Sequence, residues 1–159
     1  MESCYAYIGE LDADFQQEIM NTYQYAVRNF SIRNTSDGRA IAKQVREIVD
    51  ELLSTKQVPD GYEDMEDATV ALGVLFGQAL CIGYGWSWKA VGENSSNFWV
   101  SVVSPKEYYF NTPLHYLNKI MSGKNIGLDG ENDNTILLLY NMLADIDAKP
   151  GDKKLIPMA

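Results

Sequence analysis

One histidine and two cysteines in 159 residues leave little from which to build a reactive centre. Zinc sites need Cys and His in clusters, and His115, Cys4 and Cys81 are too few and too far apart to supply one. No serine sits in a G-x-S-x-G or related signature, so His115 would meet a nucleophile only by tertiary accident. Cys81 lies inside an apolar, helix-like run and reads as a buried thiol rather than half of a disulfide with Cys4. Such a setting also opposes the depressed pKa that a reactive thiol requires. No apolar run reaches about 18 residues, so no membrane span is expected. The opening MESCYAYIGELDADF lacks the basic flank and sustained apolar core of a secretory signal. A cytoplasmic protein is the expectation, and the Asn-x-Ser triplets at Asn29, Asn34 and Asn94 are then chance matches.

Positive charge is also scarce. Thirteen Lys and Arg face 22 Asp and Glu, a net charge of −9. Phosphates would be repelled, and no basic stripe interleaves with the aromatics, which excludes nucleic acid as a partner. The excess of acid keeps the chain soluble and suits capture of a basic partner.

What is present is a core. With 46% hydrophobic residues and the length of one ordinary domain, the chain can bury its interior without staples. A first helix is expected over residues 12–30, capped by Asp12 or Asp14, with Phe15, Ile19, Tyr23, Val27 and Phe30 near one face. After the turn-rich SIRNTSDG comes a second amphipathic helix, capped by Ser36 or Asp37 and running to Leu53. Its stripe is Ile41, Val45, Ile48, Val49 and Leu52. Pro59 and Gly61 break the pattern.

The central stretch differs from these. DGYEDMED puts Glu63, Asp64, Glu66 and Asp67 where negative charge favours a helix start. From Ala68 to Tyr84 nearly every residue is apolar or small, which predicts a helix buried almost all round. Gly73 and Gly77 share one face, and each costs about 1 kcal/mol against alanine in a helix interior. Close approach of another helix or of strands would offset that cost. Gly83 and Gly85 follow a helix and precede a strand, the reverse of a dinucleotide fingerprint, so they serve as cap and turn.

Trp86, Trp88 and Ala90 alternate with Ser87, Lys89 and Val91, the period of a strand with two faces. A turn in residues 92–97 leads to a second strand over 98–104, paired antiparallel with the first, and a short third over 107–110 completes a meander. Asn111 or Thr112 with Pro113 opens a fourth helix closed by Gly123, and a last helix spans about 134–146. The middle of the tail AKPGDKKLIPMA should be irregular. The fold class is α+β: amphipathic helices packed on a small antiparallel β-meander, a single layer of sheet in a single domain.

Few constellations remain that could carry function. The acidic loop beginning at Asp129 spaces oxygen ligands as a calcium loop does, yet Asn134 and Tyr140 stand where glycine and glutamate are required. Capping by Asp133 is the better reading, and no metal or cofactor is expected. The aromatics Trp86, Trp88, Trp99, Tyr108, Tyr109 and Phe110 crowd the hairpin region. Trp86 and Trp88 suit packing on the third helix, while an open sheet face would leave others as binding anchors.

The order LGVLFGQAL, GWSWKAV, FWVSVVS and TPLHYLNKIMSG resembles an uncharacterised family of small bacterial domains. Those domains have a Gly-x-x-x-Gly helix, a Trp-bearing hairpin and a Pro-led helix ending near a glycine. The resemblance covers about residues 68–143 and implies a fold rather than an activity. In size and acidity the chain is similar to immunity proteins of bacterial toxin systems, a likeness of type and not of motif. The expected function is a non-enzymatic, protein-binding, immunity-type module with no catalytic residue. Its partner would be a basic, toxin-like protein, engaged through Glu63, Asp64, Glu66, Asp67, Trp99 and Tyr109. The alternative is a small-ligand or peptide-binding domain with an aromatic cleft at the hairpin.

Overall fold

Three aspartates start the three long helices. In the computed structural model, which describes residues 7–144, 146 and 156–158, Asp12 accepts a hydrogen bond from the Phe15 amide at 2.7 Å and opens α1 (Ala13–Asn29). Asp37 accepts from Arg39 and Ala40 and opens α2 (Gly38–Thr55). Asp64 accepts from Asp67 at 2.8 Å and opens α3 (Met65–Tyr84). Each carboxylate satisfies an amide that has no partner within its helix. Lys56, left-handed at φ 57°, ends α2 ahead of Pro59, and Gly85, at φ 76°, ends α3. The expectations for Cys4 and for the middle of the tail lie outside the described residues.

The strands are β1 (Tyr7–Gly9), β2 (Ser87–Asn94), β3 (Asn97–Val103), β4 (Tyr109–Asn111) and β5 (Ile156–Pro157). They form one five-stranded sheet in the order β1-β2-β3-β4-β5. The β2–β3 hairpin pairs Trp88 with Val102 and Ala90 with Val100, the antiparallel ribbon that the alternation predicts. Two strands escape the sequence reading. β1 pairs antiparallel with β2, and β5 lies parallel to β4, so the sheet is mixed rather than a pure meander. Both are too short to show a period, and β5 contains a proline.

Helices α4 (Pro113–Met121) and α5 (Ile136–Met142) finish the packing. Proline stands first in α4, where its missing amide goes unmissed. Asp133 does not cap α5, contrary to expectation. The helix begins after Thr135, and the Asp133 amide instead donates to the Asn125 carbonyl across the preceding loop.

Everything converges on α3. Leu72, Leu75, Phe76 and Leu80 are fully buried in the main core with Ile41, Val45, Tyr116, Leu117 and Ile136. Each such side chain contributes about 1.5–3 kcal/mol by leaving water. By length and apolar character α3 is capable of crossing a membrane, which qualifies the expectation that no such run exists. In this fold most of its surface is packed against α1, α2, α4 and the sheet. The glycine face is used as its spacing predicts. A Cβ on Gly73 would stand 3.0 Å from the Leu114 Cα and 3.1 Å from the Pro113 carbonyl oxygen, and one on Gly77 would overlap the Trp88 ring. The opposite flank repeats the device, with Gly38 and Gly83 against each other and the Tyr140 hydroxyl. Tyr84 stacks on Tyr140 at 4.5 Å and donates its hydroxyl to the Tyr140 carbonyl.

Because the Leu114 Cα and the Pro113 carbonyl face Gly73 together with the movable end of the Leu114 side chain, Gly73→Ala should lower stability by about 1–3 kcal/mol despite alanine's better helix propensity. Chemical denaturation checks this; a variant as stable as the parent or more so would show that α4 yields freely.

Candidate functional site

Along α1 the residues Phe15, Ile19 and Thr22 recur at helical spacing and face Val70 and Val74 on α3. The space between them is a groove of about 550 Å³, floored by Trp88 of β2, Val100 of β3 and Leu114 of α4. Its size falls within the range of ligand sites, about 300–1,000 Å³. Phe15 and Val70 are 39% and 40% exposed, so the groove opens to solvent between them, while Ile19 and Val74 are buried deeper in it. Trp88 is held in place from behind. Its ring lies on the Gly77 surface, and its indole N–H donates to Gln78 Oε1 at 3.0 Å.

Asp12, Asp14 and Glu18 line the mouth. Local chemistry explains the first two, since acids at a helix start cap its amides and complement its dipole. Asp12 gives one oxygen to the Phe15 amide. Asp14 and Glu18, one turn apart and both exposed, meet no Lys or Arg in an ion pair among the described residues. The arrangement is an apolar trough with a negative lip.

The residues that the sequence singled out fall elsewhere and do not make one site. Glu63, Asp64, Glu66 and Asp67 are exposed at the start of α3. Two of them serve the local backbone, Asp64 as cap and Asp67 as acceptor of the Glu63 amide at 3.4 Å. Beside them Tyr62 stacks on Phe30 at 5.4 Å and meets Tyr25 edge-on. Trp99 is 53% exposed on the sheet face turned away from α3, its ring 5.6 Å from that of exposed His115. On that face Val91, Val103 and Phe110 form a small buried cluster. Tyr109 belongs to the opposite face and packs half-buried on the main core. Of the hairpin aromatics, Trp88 is the one that lines this groove. Its period-2 position gave that face, but nothing in the sequence reveals that Val70 and Phe15 are left uncovered.

Among the described residues one thiol lies near the groove. Cys81 borders a smaller cavity of about 370 Å³ on the other side of Trp88, with Gln78, Trp86 and Lys89. Burial pushes its thiol up from 9.0 to about 12, the reverse of an activated nucleophile. Lys89 there is paired with Glu10. Among the described residues no three His, Cys, Asp or Glu side chains gather to hold a metal ion. The loop with the calcium-like spacing is a set of tight turns in which the Gly127 amide donates to the Glu131 carbonyl and the Glu131 amide to Asp129. Comparison with protein families, with curated proteins and with solved structures finds no match.

Alkaline titration should expose the buried acids. Burial raises Cys81, and likewise Tyr62 and Tyr116, each to about 12. The unfolded chain releases these protons first, near 9 for the thiol and 10 for the phenols, so the native state holds more protons over the interval up to about 12. Stability is therefore full below pH 9 and falls as pH climbs toward 12. In a Cys4→Ser variant, Cys81 should resist iodoacetamide at pH 8.5 until denaturant is added. Prompt alkylation of the native protein would contradict the buried thiol.

Proposed function

We propose that this protein is a non-enzymatic binding module for a basic partner protein, of the immunity type that its size and acidity resemble. The observation that carries the reading is the groove: an apolar floor with Trp88 at its centre and Asp12, Asp14 and Glu18 at its lip. Burial of apolar surface would supply affinity, and the carboxylates would speed encounter and reject acidic competitors. The docking face moves accordingly from Glu63, Asp64, Glu66 and Asp67 to the start of α1, and those four acids contribute through the overall field of a chain with net charge −9. The trough is built from the hairpin face, as the peptide-binding alternative requires, so in this reading the two expectations describe one surface. A small apolar amine is the second reading, favoured by the groove's volume.

Titrating the isotope-labelled protein with a lysine- and leucine-rich peptide should shift the amide signals of Phe15, Ile19, Val70 and Val74 and the Trp88 indole. A glutamate- and leucine-rich peptide should leave them in place. The double variant Asp14→Asn/Glu18→Gln should bind the basic peptide about 2- to 30-fold more weakly, mainly through slower association, with a flatter salt dependence. Shifts centred on Glu66 or Trp99 instead would locate docking there and refute the groove.

A further inference from the structure

The walls of the groove say what shape of partner segment fits. Its lining offers side chains and almost no free backbone. On one side stands α1, on the other α3, both with their amides and carbonyls turned into their own helices. On the floor, Trp88 pairs with Val102 and Val100 with Ala90 across the β2–β3 hairpin, so the backbone between the two strands is engaged. One Asp12 carboxylate oxygen is already taken by the Phe15 amide. An extended peptide lying on this floor would set most of its N–H and C=O groups against apolar side chains, with acceptors only at the lip and few groups to pair its carbonyls, a state that folded proteins avoid. A helix brings its backbone already paired.

Spacing agrees with that choice. Phe15, Ile19 and Thr22 span about 10 Å of α1 at 1.5 Å per residue, two turns, and Val70 and Val74 lie one turn apart on α3. These are ridges of the kind between which a third helix seats its own i, i+4 row. Charge selects the sequence of that helix. Asp14 and Glu18 stand one turn apart on the lip, so Lys or Arg flanking the apolar row would meet them. A second copy of this acidic chain is the wrong partner, because both surfaces carry the same sign.

Resting on the binding reading given above, we infer that the groove between α1 and α3 takes an amphipathic α-helix of a basic partner, leucine-like side chains down and lysine or arginine along the edge. The full chain is titrated with two Leu/Lys peptides of equal composition, one with leucines at i, i+3, i+4 and i+7, the other alternating strictly. The helical pattern should bind at least about tenfold more tightly than the alternating one and gain helicity at 222 nm on binding. Val70→Lys, a substitution at an exposed position, should abolish that binding while leaving the thermal midpoint within a few degrees of the parent. Equal or tighter binding of the alternating peptide, still lost in Val70→Lys, would overturn the helical occupant and leave the groove as a binding site. Failure of both peptides to bind, or binding indifferent to Val70→Lys and to Asp14→Asn/Glu18→Gln, would overturn the groove itself.

Discussion

The contact between the bare side of α3 and the residues Pro113, Leu114 and Trp88 fixes the rest of the molecule. Two glycines there give up helix propensity, a loss of about 2 kcal/mol together. In return the backbone of α4 approaches to a distance that a methyl group would block, and the benzo edge of the Trp88 ring comes against the helix. Dispersion at such range is gained over many atoms at once. Gly38 and Gly83 do the same for α2 on the other flank, where Tyr140 reaches in. The central helix is thus gripped on two sides by contacts in which close fit replaces bulk.

The groove is a consequence of where that grip stops. α1 also lies on α3, and its C-terminal half comes close, with Ala26 wholly buried in the main core. Toward its N-terminal end Ile19 still packs in one cluster with Val74, while Phe15 and Val70 are left partly uncovered. The trough therefore opens at the end of α1 that begins the helix. Helix starts favour carboxylates for reasons of their own, so the negative lip follows from the same geometry. One local rule of helix stability and one packing mismatch together yield an amphipathic surface that neither would produce alone.

Much of this was legible from residue order. The three long helices, their aspartate caps, the glycine face and the Trp-bearing hairpin all announce themselves through spacing, because a single element imposes its own period. Two strands did not, since Tyr7–Gly9 and Ile156–Pro157 acquire their character only from the neighbours they pair with. Asp133 misled as a cap because α5 begins two residues later, after Thr135, where the chain has been turned by loop contacts such as the Asp133 amide to the Asn125 carbonyl. The site was harder still. Clustered charge drew attention to Glu63 and its neighbours, whereas the acids facing the trough are dispersed along α1 and look like ordinary helix-start residues. Trp99 and Tyr109 are near in sequence yet face opposite sides of the sheet, as alternation demands once β3 and β4 are paired. Exposure of Val70 cannot be read from an apolar run in which every other neighbour is core.

The distribution of polar chemistry also separates binding from catalysis in the proposed reading. A catalytic group works by being held in a state that water would not favour, through burial beside a charge or through a fixed proton relay. Here burial acts the other way on Cys81, locking its proton on, and the histidine stands in solvent beside a tryptophan. The carboxylates of the lip are exposed, and Asp12 spends one oxygen on its own helix. In the proposed reading, selective work would be done by sign of charge and apolar shape. Of the three lip carboxylates, Asp14 and Glu18 are the two that no backbone amide among the described residues claims, so in the proposed reading discrimination between basic and acidic partners would fall chiefly on that pair, one turn apart above the Trp88 floor.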